Sequence, residues 1–156
     1  RIRKGAGMTD EHNGIPGLTV TPLQVIADER GAVMHMLRAE APQFAGFGEI
    51  YFSVVNPGAV KAWKRHRRMT LNLCCVVGVI RLVVFDPDGK ALREITLGPA
   101  SPATYSLVTV APGLWTGFTC IGETPAVLAN CASIPHDPAE ADGLPADTDG
   151  VPYSWR

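Results

Sequence analysis

Lys64 and His66 form the part of the sequence best suited to acid–base chemistry, because they stand two residues apart in a segment with strand character. Alternate residues of a strand share a face, so both are expected to point the same way as Ala62. The opposite face is expected to carry Lys61, Trp63 and Arg65. If the first face lines an enclosed space, the two cationic groups disfavour each other's charge, and one of them can exchange a proton near neutral pH. If it lies at a rim, both side chains are solvated; the sequence favours neither arrangement.

The elements that would position this pair are short strands bounded by Gly, Pro and Asp. They are predicted at 18–26, 32–37, 48–56, 60–66, 70–77, 79–85, 91–97, 105–110, 114–121 and 126–133. The run Asp-Pro-Asp-Gly at 86–89 predicts a hairpin turn. No long helical period is present, so we expect an all-β sandwich or closed barrel. A tail over 136–150 is expected to be irregular or briefly helical and to wrap the barrel, with Trp155 docked on it.

Length and composition indicate one globular domain. The first seven of the 156 residues resemble a vector remnant, which leaves a single domain over 8–156. The net charge of −1 provides no general attraction to nucleic acid or an anionic membrane, and the cationic run at 61–68 is interpreted as a solvated turn. No apolar run is long enough to cross a bilayer. Cysteines at 74, 75, 120 and 131 lack metal-ligand spacing and are expected to be buried free thiols of a cytoplasmic protein.

The segment from Gly58 to Gly78 resembles the first cupin motif, in which two His and a Glu bind a metal. Lys64 and Leu71 stand at the first His and the Glu position, and His66 is the one ligand position that matches. The second motif has Thr116 where its His would lie. One imidazole does not make a metal site, so no metal and no other cofactor is expected. A different ligand set would require the three histidines His35, His66 and His136 to converge.

Several motifs from residue 28 to residue 155 resemble those of the dTDP-4-dehydrorhamnose 3,5-epimerase family. Asp-Glu-Arg-Gly at 28–31 is similar to its D-x-R-G motif, Gly-Ala-Val-Lys at 58–61 to G-V-x-R, and 111–118 to I-P-x-G-x-A-H-G-F. Pro-Tyr-Ser-Trp at 152–155 is similar to its closing strand. The resemblance implies a cupin jelly-roll barrel, a dimer with N-terminal strands crossing to the neighbour, and epimerisation or ketoisomerisation of a nucleotide-linked 4-keto-6-deoxyhexose in polysaccharide or glycoside biosynthesis.

The resemblance also implies which residues act. The family uses a His oriented by an Asp as base, a Lys that stabilises the enolate and a Tyr on the opposite face. Here these positions hold Lys64, Leu71, and Ala129 or His136, with Asp147 or Asp149 as the orienting acid. The groups that remain for enolisation are Lys64 as base or cationic oxyanion partner, His66 as proton shuttle, and Tyr51 and His136 as candidates for the second proton relay. These four are the predicted catalytic residues. The predicted substrate-binding residues are Arg30, Glu49, Ser53, Lys61, Asn72, Trp115 and Asn130. The alternative is a non-catalytic sugar-nucleotide-binding cupin or a structural partner subunit.

Overall fold

A computed structural model describes residues 14–156, which form twelve strands and one short 3₁₀ helix. The predicted vector remnant at 1–7 lies outside the described residues. The strands are β1 (Leu18–Pro22), β2 (Val25–Asp28), β3 (Gly31–Met34), β4 (Glu49–Val55), β5 (Val60–His66), β6 (Leu71–Val77), β7 (Ile80–Asp86), β8 (Ala91–Leu97), β9 (Ser106–Val110), β10 (Trp115–Cys120), β11 (Ala126–Ala132) and β12 (Ala141–Gly143). The 3₁₀ helix is Pro138–Glu140.

Two five-stranded antiparallel sheets face each other. The first has the order β1-β9-β6-β11-β4 and the second β12-β5-β10-β7-β8, while β2 and β3 form a separate hairpin. The chain passes repeatedly from one sheet to the other, as in a jelly roll. The expectation of an all-β cupin-type barrel is confirmed.

Most strand predictions are confirmed to within a residue or two, but the first is wrong in one respect. The segment predicted as one strand at 18–26 is two strands, β1 and β2. Proline has no N–H to give to a ladder, and Pro22 stands where β1 ends. The chain then leaves the sheet and forms the β2–β3 hairpin.

Alternation along the strands divides the interior into two apolar clusters. The larger fills the space between the sheets and includes Leu82 and Val84 of β7 and Leu128 of β11. The smaller covers the outer face of the second sheet, where Val83 and Phe85 pack with Trp63 and Trp115. A side chain of the second sheet therefore faces the interior if it packs in the larger cluster, and faces outward if it packs in the smaller one.

The tail was expected to be irregular or briefly helical and to wrap the barrel, and it also adds a strand to the second sheet. Its 3₁₀ helix begins at the cap of Asp137, whose carboxylate accepts from the backbone N–H of Ala139 at 3.0 Å. β12 then joins the edge of the second sheet beside β5. Trp155 packs on Trp63, which confirms its docking, but residues 152–155 form no strand. Within 14–156 there is no helix long and apolar enough to cross a membrane.

Candidate functional site

A cavity of about 970 Å³ opens between the two sheets, and strands of both sheets supply its walls. Its floor is apolar and is made by Met69, Leu71, Leu73, Phe118 and Leu128. The polar side chains around it include eight of the eleven predicted site residues: Glu49, Tyr51, Ser53, Lys61, Lys64, His66, Asn130 and His136. An apolar pocket of this size with a few convergent polar groups is typical of a small-molecule site.

His66 is the most tightly held of these side chains. It lies at the end of β5 and is 7% exposed, and its Nδ1 is hydrogen-bonded to the carboxylate of Glu140. Within residues 14–156, the fully buried side-chain nitrogens that lack a partner belong to Arg81 and Trp155. The Nε2 of His66 also makes no hydrogen bond to the protein, but it is not one of these fully buried atoms. It is therefore accessible from the cavity that the ring lines.

Glu140 is buried at 3% exposure and reaches His66 from the tail. Its second oxygen accepts the backbone N–H groups of Arg67, Arg68 and Met69 at 3.0–3.2 Å. Burial alone would raise the pKa of this carboxyl. The hydrogen bonds from His66 and from the amides of the turn outweigh burial and lower the pKa to about 2. The carboxylate is therefore a fixed negative charge at neutral pH, and it keeps a proton on Nδ1 of His66.

Arginines of β5 and of the turn after it form ion pairs with the tail segment that carries Glu140. Asp142 is ion-paired with Arg65 at 3.1 Å and also with Arg67, and Asp137 is paired with Arg68 at 3.0 Å. This segment closes one side of the cavity with residues 141–145 and with His136. The cationic run after Lys64, expected to be solvated, thus serves largely to hold the tail.

Lys64 lies on the cavity side of β5, as expected, but the predicted assignment of its neighbours is wrong. The register between β5 and β10 shifts at Trp63, so that Thr116 pairs with Lys64 while Gly117 pairs with Ala62 and Phe118 with Lys61. Ala62 therefore packs in the outer cluster with Trp63, whereas Lys61 lies opposite the inward Phe118. The cavity face of β5 carries Lys61, Lys64 and His66.

The opposite wall presents a tyrosine that is held in place. Tyr51, Glu49 and Ser53 alternate along β4 and face the cavity. The Tyr51 hydroxyl accepts from Asn130 Nδ2 at 2.9 Å, and Asn130 Oδ1 accepts from the backbone N–H of Asn72 at 3.1 Å. Asn130 is thereby fixed by β6, and it fixes the phenol in turn.

Three predicted binding residues lie outside the cavity. Asn72 is 1% exposed on the other face of β6, where its side chain binds Gln43 and Thr109, so its polar groups are already used. Trp115 lies on the outer face, with the guanidinium of Arg65 4.7 Å from its ring centre. The Arg30 side chain is 83% exposed in the β2–β3 turn and pairs with Asp28. We therefore remove Asn72 and Trp115 from the candidate site, and Arg30 does not reach the cavity of its own chain.

Glu140 is the functional residue that sequence reasoning missed. The orienting acid was expected at Asp147 or Asp149, but Glu140 holds His66 instead. The only local signal was the run His-Asp-Pro-Ala-Glu at 136–140, in which Asp137 caps a turn with Pro at its start. Within the described residues, no group of three His, Cys, Asp or Glu side chains is arranged to hold a metal. His35 lies against a separate, smaller depression.

The chain is similar to several proteins that are named as enzymes or proteins of sugar and polysaccharide biosynthesis. A dTDP sugar isomerase of known structure from Desulfovibrio desulfuricans G20 is 43% identical, with 91% of this chain and 92% of that chain covered and a TM-score of 0.85. The probable low-salt glycan biosynthesis epimerase Agl13 of Haloferax volcanii is 29% identical over 148 residues, 91% of this chain and 95% of that protein. The spore coat polysaccharide biosynthesis protein SpsL of Bacillus subtilis is 23% identical over 146 residues, 91% and 97% respectively. No protein-family model matches the chain.

The two facing sheets and the cavity between them define a cupin of the jelly-roll class. With 43% identity over nearly the full length of both chains, the protein belongs to the dTDP-sugar epimerase-like family of cupins. The family resemblance of the sequence is confirmed.

Proposed function

We propose that the protein is an epimerase or ketoisomerase that acts on a nucleotide-linked 4-keto-6-deoxyhexose, in polysaccharide or glycoside biosynthesis. The observation that carries the proposal is the His66–Glu140 pair, which opens into a cavity that also holds Lys64 and Tyr51. The relatives named as a dTDP sugar isomerase and a glycan biosynthesis epimerase support the substrate class.

His66 is the base in this proposal. Glu140 keeps the proton on Nδ1, so the open Nε2 is the nitrogen that accepts the proton from the sugar carbon next to the ketone. The electrons of the broken C–H bond form a C=C bond with the carbonyl carbon, and the ketone oxygen becomes an oxyanion. Glu140 also stabilises the imidazolium that forms when Nε2 takes up the proton.

Lys64 is the partner of the oxyanion. It stands two residues before His66 on the same face, about 7 Å along the strand, within the span of one sugar ring. Its side chain is exposed and lines the cavity, so its ammonium group can approach the ketone oxygen of a bound sugar. A preorganised positive charge at the developing oxyanion is usually the largest single contribution to enolisation.

Tyr51 returns the proton when the configuration is inverted. It projects from the first sheet, whereas His66 projects from the second, so a sugar between them meets one group on each face. The hydrogen bond from Asn130 holds the phenol at that position. Return of the proton by His66 to a neighbouring carbon on the original face would give a ketoisomerase instead. His136, on the tail side of the cavity, is a second candidate for the proton carrier.

The nucleotide end of the substrate is assigned to the far end of β5. Lys61 lies there with its ammonium group 2.9 Å from the carbonyl oxygen of Val54, and Ser53 is on the facing strand. The strand length between Lys61 and His66 is about 15 Å, enough for a diphosphate and one sugar ring. Lys61 and Ser53 then bind phosphate oxygens, for which a cation and a hydroxyl are suited.

We also propose that the protein is a homodimer. The outward residues of β4, Ile50, Phe52 and Val54, are 55%, 63% and 57% exposed, and Ile26 and Val33 of the β2–β3 hairpin are similarly open. Exposed apolar side chains in this number are typical of an interface, and a second copy would cover them. Such an arrangement is also what would bring the exposed Arg30 of one copy towards another copy's cavity. Phe52→Glu should yield a monomer in light scattering, while the matched change at the exposed Ile121, Ile121→Glu just after β10, should not.

A cytoplasmic location is supported by the thiols. Cys74, Cys75, Cys120 and Cys131 are all buried and free. Unpaired cysteines are usual in reducing compartments, where disulfides rarely form.

The test of the activity is deuterium uptake from heavy water. The protein is incubated with dTDP-, CDP- and GDP-linked 4-keto-6-deoxyhexoses, and the products are analysed by mass spectrometry and proton NMR. We expect incorporation at C3 or C5, and His66→Asn should reduce its rate by about 100-fold or more. His35→Asn, outside the cavity, is the matched control and should leave the rate unchanged. Undiminished incorporation in His66→Asn would refute the assignment of the base. No incorporation by a protein that still binds one of the sugars would favour the non-catalytic binding cupin.

A further inference from the structure

The register shift in β5 changes which residues reach the cavity. Counting back from Lys64 by strict alternation would place Ala62 inside and Lys61 outside. The extra residue at Trp63 reverses this order, so Ala62 and Trp63 both face outward and Lys61 faces inward. The bulge therefore turns the ammonium group of Lys61 towards the cavity.

Tyr153 and Trp155 of the tail cover this bulge on the outer face, and we call this pair the aromatic brace. Trp63 is 3% exposed, with its ring centre 5.2 Å from that of Trp155 and 6.1 Å from that of Tyr153. The tail also bonds to the bulged residue directly: Trp63 N donates to Leu144 O at 2.8 Å, and Leu144 N donates to Trp63 O at 3.1 Å. Without the tail, the bulge would leave a large apolar ring in water, which is unfavourable.

The surface beneath the brace is shaped to accept it. A Cβ added at Gly117 would lie 2.6 Å from the Ala62 Cβ and 2.7 Å from the Trp155 ring, so only glycine leaves room for both. Tyr153 is anchored by its hydroxyl, which donates to Glu94 at 2.5 Å. Burial, and then this hydrogen bond, raise the pKa of Tyr153 to about 12, so the anchor persists across the working pH range.

We propose that Trp155 and Tyr153 are positioning residues that act from outside the barrel: they hold the bulge at Trp63 and thereby keep Lys61 in the cavity for the diphosphate of the substrate. The proposal deepens the proposed function and rests on it for the identity of the ligand. The position of Lys61 itself follows from the packing and does not depend on that ligand.

The first test is a double-mutant cycle read by calorimetric titration with dTDP. Trp155→Ala should weaken dTDP binding about tenfold, the loss expected for one charge-assisted contact. In a Lys61→Gln background, Trp155→Ala should have almost no further effect, because the group it positions is already gone. Trp155→Phe keeps a ring over Gly117 and should restore most of the affinity. Leu92→Ala removes apolar packing from the same outer cluster on β8, three strands away from β5, and should lower stability without changing affinity.

The second test follows Lys61 without any ligand. Reductive methylation followed by mass spectrometry measures the reactivity of Lys61 relative to Lys90, which lies in an exposed turn. In folded Trp155→Ala, loss of the bond to Val54 should raise the relative reactivity of Lys61 about threefold. Unchanged Lys61 reactivity together with additive losses in the cycle would overturn the proposal. If Lys61→Gln binds dTDP normally while Trp155→Ala still exposes Lys61, the brace stands and the diphosphate assignment fails.

Discussion

Replacing Glu140 by glutamine should remove a pH-dependent part of the protein's stability. The hydrogen bonds around the carboxylate outweigh its burial and lower its pKa from the ordinary 4.5 to about 2. Each pKa unit corresponds to about 1.4 kcal/mol, so the charged form contributes about 3 kcal/mol to the free energy of unfolding. The side chain is almost fully buried, so screening by solvent reduces this value little.

The sign follows from which state binds the proton first. As the pH falls below about 4.5, the unfolded chain takes up a proton on residue 140 while the folded protein does not. The contribution of Glu140 is therefore complete above that pH and is lost progressively as the pH approaches about 2. Wild type and Glu140→Gln should differ by about 3 kcal/mol at pH 7 and should converge near pH 2.

The assay is urea unfolding at a series of pH values between 7 and 2, with the free energy obtained from midpoint and slope. Glu123→Gln, which removes an exposed carboxylate without an ion pair in the described part of the chain, controls for the change in net charge. A difference between wild type and Glu140→Gln that stays constant down to pH 2 would refute the reasoning, because the stabilisation would then not depend on the charge.

Two further predictions concern the packed interior. Burial raises the pKa of Cys75 to about 11. All four thiols are buried and free, so they should react with an aromatic disulfide reagent only after unfolding; rapid reaction of the native protein would contradict this expectation. Gly48→Ala should destabilise the protein by about 3 kcal/mol, because its Cβ would lie 2.0 Å from the backbone of Ile134. Gly58→Ala, whose Cβ meets nothing within 4 Å but whose φ is +75°, should cost only about 1 kcal/mol in the same denaturation assay.

The sequence was sufficient to predict the strands where alternation and turn residues agree. β5 at Val60–His66 and β8 at Ala91–Leu97 have the predicted bounds, since Gly, Pro and the Asp-Gly turn mark their ends. The face assignment within β5 failed, because the bulge depends on Gly117 and on a tail that is remote in sequence. Asn72 and Trp115 were misplaced for a similar reason: polarity and aromatic character do not tell which face of a strand is the cavity.

Glu140 was missed because its partner lies 74 residues away and no local pattern connects them. Its importance also explains how the site can differ from the family pattern that the sequence resembles. Lys64 stands where that pattern has its base, and His66 lies two residues further along the same face, about 7 Å away. If His66 is the base, as proposed, an orienting acid placed for position 64 cannot serve it, and the acid must come from the segment that covers the end of β5. The 3₁₀ helix of the tail supplies such an acid in its last residue, Glu140, and three arginines of β5 and the following turn hold the segment in place. Lys64, which stands at the base position of the family pattern, is then the proposed cation beside the ketone oxygen. In the proposed function, the position of the base and the segment that orients it therefore change together, and Glu140→Gln should impair the enolisation step while leaving dTDP binding at Lys61 intact.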